Sequence, residues 1–338
     1  MDRLTVTELP GRNRVFRVET GPTGGCIVKQ TGIDRPDRQK AIRREADCCR
    51  LAMSVPELQG VIPEVIRYDD MAHYLVQPIV PGEPAGRALR RGGENRAAAA
   101  LGTALARVHR HLSTTDITSR DLVGADSLPW ILRDKSLAKA VRHTTSLGQA
   151  ALARLLVDHP ALLEQLKDTA KLWAPSCAIH ADLKLSNVIV TWEGGDQSQP
   201  QATLIDWELV QTGDPAWDVA GIVQSFIVSA IGRLPADSAA DGRTEPDLDD
   251  GPLSAAAAAG RHFIQAYHEY TETPKSALDG FNLRILRYAG ARMVQSAYEA
   301  QKFETGLIPG TVRLIQAGLN LMREPEEFRP FICFRQPF

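Results

Sequence analysis

The chain has no excess charge of either sign: 39 basic residues stand against 41 acidic ones, a formal net of −2, and both kinds are spread along its length. Without a basic stripe or a polybasic patch, neither a nucleic acid nor a membrane surface is an expected partner, and charge points to something small or neutral. Cysteine is also sparse. Cys26, Cys48, Cys49, Cys177 and Cys333 make an odd set with no C-x-x-C spacing, which argues against a disulfide framework and a zinc site and fits a reducing, cytoplasmic setting. No apolar run approaches the ~18 residues of a membrane span, and residues 1–10 carry no signal-type hydrophobic core. The numbers leave the oligomeric state open.

What is present is ample core material, 43% apolar over 338 residues, enough for two lobes. Three short strands are expected at Leu4–Leu9, Val15–Glu19 and Cys26–Gln30, separated by turn-forming Gly and Pro clusters. A helical pattern follows from Asp37 to about Val55, then strand-like composition at Val61–Ile66 and His73–Val80, before Pro81-Gly82 breaks the chain. Beyond it the periodicity is helical, with Leu101, Leu105, Val108 and Leu112 on one stripe, and Leu152 to Trp173 on another that is interrupted at Pro160. Two strands, Val188–Trp192 and Ala202–Asp206, form a hairpin inside this region. Residues 232–251 are acidic and small and read as a mobile insertion. Helices are expected again at Phe263–Tyr270, Leu283–Lys302 and Val312–Met322, and the aromatic terminal segment Phe328–Phe338 should pack down. The expectation is an α+β, bilobal chain: a small β-rich lobe over residues 1–80 and a large, mostly α-helical lobe over 81–338.

The chemistry concentrates in His180-Ala181-Asp182-Leu183-Lys184-Leu185-Ser186-Asn187. A carboxylate can orient a hydroxyl and take its proton, and an amide oxygen five residues later is a hard ligand suited to magnesium. Leu204-Ile205-Asp206-Trp207-Glu208 ends the second hairpin strand, and antiparallel pairing brings that end beside Asn187. Asn187 and Asp206 could then share one magnesium ion. The plain alternative for Asp206 is a solvated strand end. The apolar run before it argues instead for a carboxylate that emerges into a cleft or is paired.

On a helical wheel, Ala41, Ile42, Ala46, Cys48, Cys49, Ala52 and Met53 share a face with Glu45 near its middle. A carboxylate there needs a cation, and the candidate is Lys29 at the end of the third strand. Such a pair positions the α- and β-phosphates of ATP in kinases. Pro10-Gly11-Arg12-Asn13-Arg14 could cover a nucleotide, although it lacks the G-x-G-x-x-G pattern. Val76-Gln77-Pro78-Ile79-Val80 would be the hinge, with the backbone of Gln77 and Ile79 available to an adenine ring and Pro78 removing one donor. Asp214 reads as a turn residue and Asp218 as a support for the loop around Asp182.

His180-x-Asp182-x-x-x-x-Asn187, Ile205-Asp206-Trp207-Glu208 and Gly213-Asp214-Pro215-Ala216-x-Asp218 resemble the aminoglycoside phosphotransferase and choline kinase-like family, which has a protein kinase-like fold. Further likenesses in Val76–Gly82, in Leu101-Gly102-x-x-Leu105-Ala106-x-x-His109 and in Phe263-x-x-x-Tyr267 extend the resemblance over most of the chain. It implies ATP and Mg2+ as cofactors, Asp182 as catalytic base, Asn187 and Asp206 as magnesium ligands, and Lys29 with Glu45 on the phosphates. The chain departs from the family's pattern at two positions: Ala181 stands where glycine is frequent and Lys184 where histidine is frequent. Asp182-Leu183-Lys184 looks instead like kinases of serine and threonine, where the lysine helps neutralise the transferring phosphoryl group.

The acceptor expected is therefore a hydroxyl on a small molecule of aminoglycoside, amino alcohol or sugar type, a cationic one being drawn by the acidic Asp237–Asp250 stretch. The alternative is a serine or threonine of a precursor peptide, as in lanthipeptide-type maturation. Specificity should lie in the α lobe, around Arg284, Arg287, Tyr288, Arg292 and Tyr298. A nucleotide-binding scaffold without turnover is the remaining class.

Overall fold

The structure is a computed structural model that describes residues 4–9, 13–21, 24–32, 34–89, 94–112, 128–133, 135–192, 199–232, 251–308 and 310–333. Expectations for the acidic insertion and for most of the first turn lie outside these residues, as does the end of the terminal segment. The chain divides into two compact units, Met1–Ala125 with Ser176–Thr212, and Asp126–Pro175 with Gly213–Phe338.

In the first unit, β1 (Thr5–Leu9), β2 (Arg14–Glu19), β3 (Gly25–Gln30), β4 (Arg67–Asp69) and β5 (Tyr74–Pro78) form an antiparallel sheet in the order β1-β2-β3-β5-β4. The central strand is β3, and its Lys29 lies opposite Val15 on one side and Leu75 on the other. Helix α1 (Pro36–Met53) starts with proline at its first turn beside Asp37, a residue that suits the positive helix end. Its Ile42 and Ala46 pack on Leu75, flanked by Val65 and Tyr68. The buried stripe includes Leu51, whereas Met53, expected on it, is exposed.

The strand expected at Val61–Ile66 does not form. Pro63 lacks the N–H a ladder needs, and the segment's two ends bond to different strands: Val61 O accepts from Leu204 N at 2.8 Å, and Ile66 N donates to Val76 O of β5 at 2.9 Å, next to the β4–β5 ladder. After β5 come β6 (Glu83–Pro84), α2 (Ala85–Ala88) and α3 (Glu94–His111), which buries Leu101, Leu105 and Val108.

The second unit contributes α4 (Ser136–Arg142), α5 (Leu147–Val157) and α6 (Pro160–Ala170). The chain then returns to the first unit through β7 (Cys177–Ile179), β8 (Val188–Trp192) and β9 (Pro200–Leu204), and β10 (Gln211–Gly213) pairs with β7. Three of these short strands, β6, β7 and β10, are too brief to show period-2 patterning and were not expected. Strands β8 and β9 pair antiparallel from Val188↔Leu204 to Trp192↔Pro200, so the hairpin's second strand starts and stops two residues earlier than its composition indicated.

The rest of the second unit is helical: α7 (Pro215–Ile231), α8 (Pro252–Thr271), α9 (Lys275–Ala300) and α10 (Thr311–Arg323). Asp214 caps α7 by accepting from Ala216 N at 3.0 Å. The helices α9 and α10 cross at Gly290 and Gly318, where a Cβ on either would sit 2.4–2.7 Å from the other's carbonyl oxygen. Phe331, which ends the 3-10 turn Pro325–Phe331, and Ile332 after it are buried, as expected for the terminal segment.

Candidate active site

All eight candidate site residues lie in the first unit. Strand β3 delivers Lys29 and the buried face of α1 delivers Glu45, whose carboxylate receives the lysine Nζ at 2.8 and 2.9 Å. The same Nζ donates to Asp206 Oδ1 at 2.6 Å, a contact the sequence reading did not anticipate. Glu45 is 1% exposed as a side chain and Lys29 11%, while Asp206 keeps 36%. One ammonium therefore bridges a fully buried carboxylate and a half-open one.

The charges follow from this placement. Burial opposes the Lys29 charge, but Glu45 and Asp206 outweigh it and hold the ammonium well above its ordinary value. Burial raises the Glu45 carboxyl, and Lys29 offsets only part of that rise. Burial also works against Asp206, yet Lys29, helped by Lys184, holds its carboxyl below the ordinary range.

Asp206 sits just beyond β9 with φ 71° and ψ 56°, a left-handed conformation that turns the chain away from the strand and into the Trp207–Leu209 turn. Two interactions secure the bend. Trp207 is fully buried and its Nε1 donates to Leu204 O at 2.7 Å, and Ile205 N donates to Asn187 O at 2.9 Å. That second bond joins the start of β8 to the end of β9, as the hairpin argument required. Asn13 Nδ2 reaches Glu208 at 3.0 Å, tying the β1–β2 turn to the same corner.

The loop between β7 and β8 is held by a residue whose role was not assigned from sequence. His180 is fully buried, with its ring 4.7 Å from that of Trp207. Its Nδ1 accepts from Asp182 N at 3.4 Å, so the proton must be on Nε2, which lies 2.8 Å from Ile205 O. The imidazole thus fixes both the Asp182 backbone and the strand that ends at Asp206. A histidine two residues before an aspartate was the available signal. Ala181, between them, has φ 66°, a left-handed conformation that strains an L side chain and that glycine would adopt at less cost.

Asp182 is 25% exposed as a side chain, and Lys184 Nζ donates to its Oδ2 at 2.9 Å. Asn187 is buried, and its Nδ2 donates to Asp182 O at 3.0 Å, which leaves the amide oxygen as the donor atom for another partner. The geometry thus gathers Lys29, Glu45 and Asp206 in one group and Asp182, Lys184 and Asn187 in another, joined through Ile205 and His180. Gln77 and Ile79 stand apart on the β5 side. The Gln77 side chain is buried and donates to Cys49 Sγ at 3.4 Å, and Ile79 N is 3.5 Å from Gly25 O.

A sequence model of the phosphotransferase enzyme family matches residues 5–257. No curated protein matches. Among solved structures, the chain is similar to the Plasmodium vivax ethanolamine kinase at 13% identity and TM-score 0.56, over 97% of this chain and 83% of that one. It is similar to the choline kinase LicA of Streptococcus pneumoniae at 14% identity and TM-score 0.52, over 94% and 93%. The streptomycin–ATP complex of APH(2")-IIa matches at 14% identity and TM-score 0.51, over 95% and 93%. At these identities the likenesses show a common protein kinase-like fold.

Proposed function

Since the chain belongs to the phosphotransferase enzyme family, and is therefore a phosphotransferase that acts on hydroxyl groups, we propose that it transfers the γ-phosphoryl group of ATP to a small-molecule alcohol. The observation that carries the reading is Lys29 Nζ within bonding distance of both Glu45 and Asp206. An ammonium so held is a fixed counter-charge for nucleotide phosphates. In this proposal Asp182 accepts the acceptor's proton, Lys184 offsets charge on the transferring group, and the backbone of Gln77 and Ile79 lies along the adenine.

The donors present fit a magnesium ion. Asn187 offers an amide oxygen, its nitrogen being committed to Asp182 O, and Lys29 occupies only one oxygen of Asp206. Among the described residues no group of three or more acidic, His or Cys side chains is gathered for a metal. Two hard oxygen donors suit an ion whose remaining ligands are phosphate and water. Such an ion supplies neutralisation of the phosphate charge, and the residues' part is to place it beside Lys29.

The fold relatives named as ethanolamine and choline kinases support a small amino alcohol or a similar hydroxyl compound as acceptor. A second reading is favoured by Lys184 at 2.9 Å from Asp182, the pattern that resembles serine and threonine kinases, and it makes a precursor peptide of lanthipeptide type the acceptor. We assign the nucleotide to residues 1–80, the acceptor to 81–338 and the protein to the cytoplasm. No helix among the described residues is long and apolar enough to cross a membrane.

The test is phosphate incorporation measured by mass spectrometry with ATP, magnesium, a panel of amino alcohols, aminoglycosides and sugars, and serine- or threonine-containing peptides encoded beside the gene. Asp182→Asn should lower transfer by about 10²–10⁴-fold with binding of a fluorescent ATP analogue nearly unchanged. Unaltered transfer in that variant removes Asp182 from the chemistry. ATP binding with no transfer to any acceptor would favour a scaffold.

A further inference from the structure

The second unit contains a cavity of about 630 Å3 whose lining, among the described residues, comes from that unit. That volume lies within the ~300–1,000 Å3 range of small-molecule sites. One wall is a stripe of α6: Leu163, Leu166, Lys167 and Ala170, at the i, i+3, i+4, i+7 spacing of a single helical face. The opposite wall comes from the 3-10 turn Trp130–Leu132, through Ile131 and Leu132, and from α4, through Leu137. Leucine and isoleucine thus make the body of the cavity, although α6 already buries Leu162, Leu166 and Thr169 within its unit.

The charged side chains that line this apolar body are, among the described residues, all cations. Arg133, Lys135, Lys167 and Lys171 line it, and no Asp or Glu does so among the described residues. Lys171 is paired with Asp168 at 2.7 Å, and Arg133 donates its Nε to Leu128 O at 2.6 Å. Lys135 and Lys167 are exposed. The cations come from both sides, two from the segment before α4 and two from α6 and the residue after it. An apolar body beneath a cationic rim is complementary to a molecule with an aliphatic chain and an anionic head.

We propose that this cavity binds an amphipathic anion of the fatty-carboxylate class, with the chain against Ile131, Leu137, Leu163 and Leu166 and the carboxylate among Arg133, Lys135 and Lys167. The site is separate from the roles proposed for Lys29, Asp182 and Asp206, and it stands whether or not the acceptor proposal does. Burial of the chain would supply most of the affinity, and the exposed charges would select the sign of the head group.

The proposal is tested by isothermal titration calorimetry of the full chain with dodecanoate below its micellar concentration, with dodecyltrimethylammonium as a matched chain of opposite charge. Dodecanoate should bind at one site with micromolar affinity, and the ammonium compound at least tenfold more weakly. Lys135→Glu combined with Lys167→Glu, both at exposed positions that leave packing intact, should weaken dodecanoate about tenfold and narrow or reverse the preference. Leu163→Trp, which fills the cavity from a half-buried position, should abolish binding of both. Equal binding of the two amphiphiles, no binding of dodecanoate, or dodecanoate binding unchanged in both variants would each overturn it.

Discussion

Replacement of Lys29 by methionine is the perturbation whose consequences the structure sets most sharply. The lysine satisfies a carboxylate that is 1% exposed and a second that is 36% exposed, at 2.6–2.9 Å. Removing it strands Glu45 in an apolar layer with Ile42, Ala46 and Cys49. The loss of one partner of a buried pair costs about 3–5 kcal/mol. Lys29→Met should therefore lower the stability of the first unit by about that amount at pH 7, and Lys29→Met with Glu45→Met should recover most of it, because no buried charge is left unpaired. Both variants should be inactive in phosphoryl transfer, which separates the stability effect from the catalytic one.

The pH dependence adds a second arm to this experiment. In Lys29→Met the Glu45 carboxyl loses its offset, so its folded-state pKa rises further above its unfolded value near ~4.3. The folded state then binds more protons than the unfolded one. Stability of the variant should fall as pH rises from about 4.3 toward the raised folded value, and the double variant should lack this slope. Urea unfolding followed by tryptophan fluorescence at pH 4.5, 6 and 7.5 measures it. A cost below about 1 kcal/mol at pH 7, or a double variant no more stable than the single one, would refute the view that Lys29 is chiefly the counter-charge of a buried glutamate.

Three further outcomes are expected. Ala181→Gly removes a Cβ from a residue at φ 66°, and relief of that strain should slightly exceed the added chain entropy, giving stability unchanged or raised by up to about 1 kcal/mol in thermal unfolding. Gly318→Val places side-chain atoms against Gly290 O, already 2.7 Å from a Cβ position, so calorimetry should show a loss of about 3 kcal/mol or more, or failure to fold. Asp214 is fully buried, is ion-paired with Arg284 at 2.9 Å, and accepts from Tyr288 Oη at 3.0 Å and Ala174 N at 3.1 Å as well as capping α7. Asp214→Ala should cost about 3 kcal/mol and Tyr288→Phe about 1 kcal/mol in urea unfolding, the difference reflecting the unpaired guanidinium and lost cap.

The residues that would do chemistry were legible because their spacing is local. Asp182 and Asn187 share one loop, and antiparallel pairing of β8 with β9 places Asn187 beside the chain leading to Asp206, an inference that needs only strand geometry. Glu45 was legible from helical period, since a carboxylate in an apolar stripe demands a cation. Ladder bonding was harder to read. Residues 61–66 have strand composition, but a proline interrupts them and their two ends bond to different strands, and strands as short as β6, β7 and β10 exist only because partners far along the chain supply the other half of each ladder.

Sequence alone therefore determined which residue types meet: a strand lysine, a helix glutamate, and a loop with a carboxylate and an amide oxygen. Tertiary structure decided how they share charge. That Lys29 serves Asp206 as well as Glu45 depends on the left-handed bend at Asp206, which is held by the burial of Trp207 and by a histidine that bonds across two strands. Those contacts join residues up to 177 positions apart. No local periodicity encodes them, because hydrophobic pattern fixes which face of an element is buried and leaves its long-range partners to the packing of the whole unit.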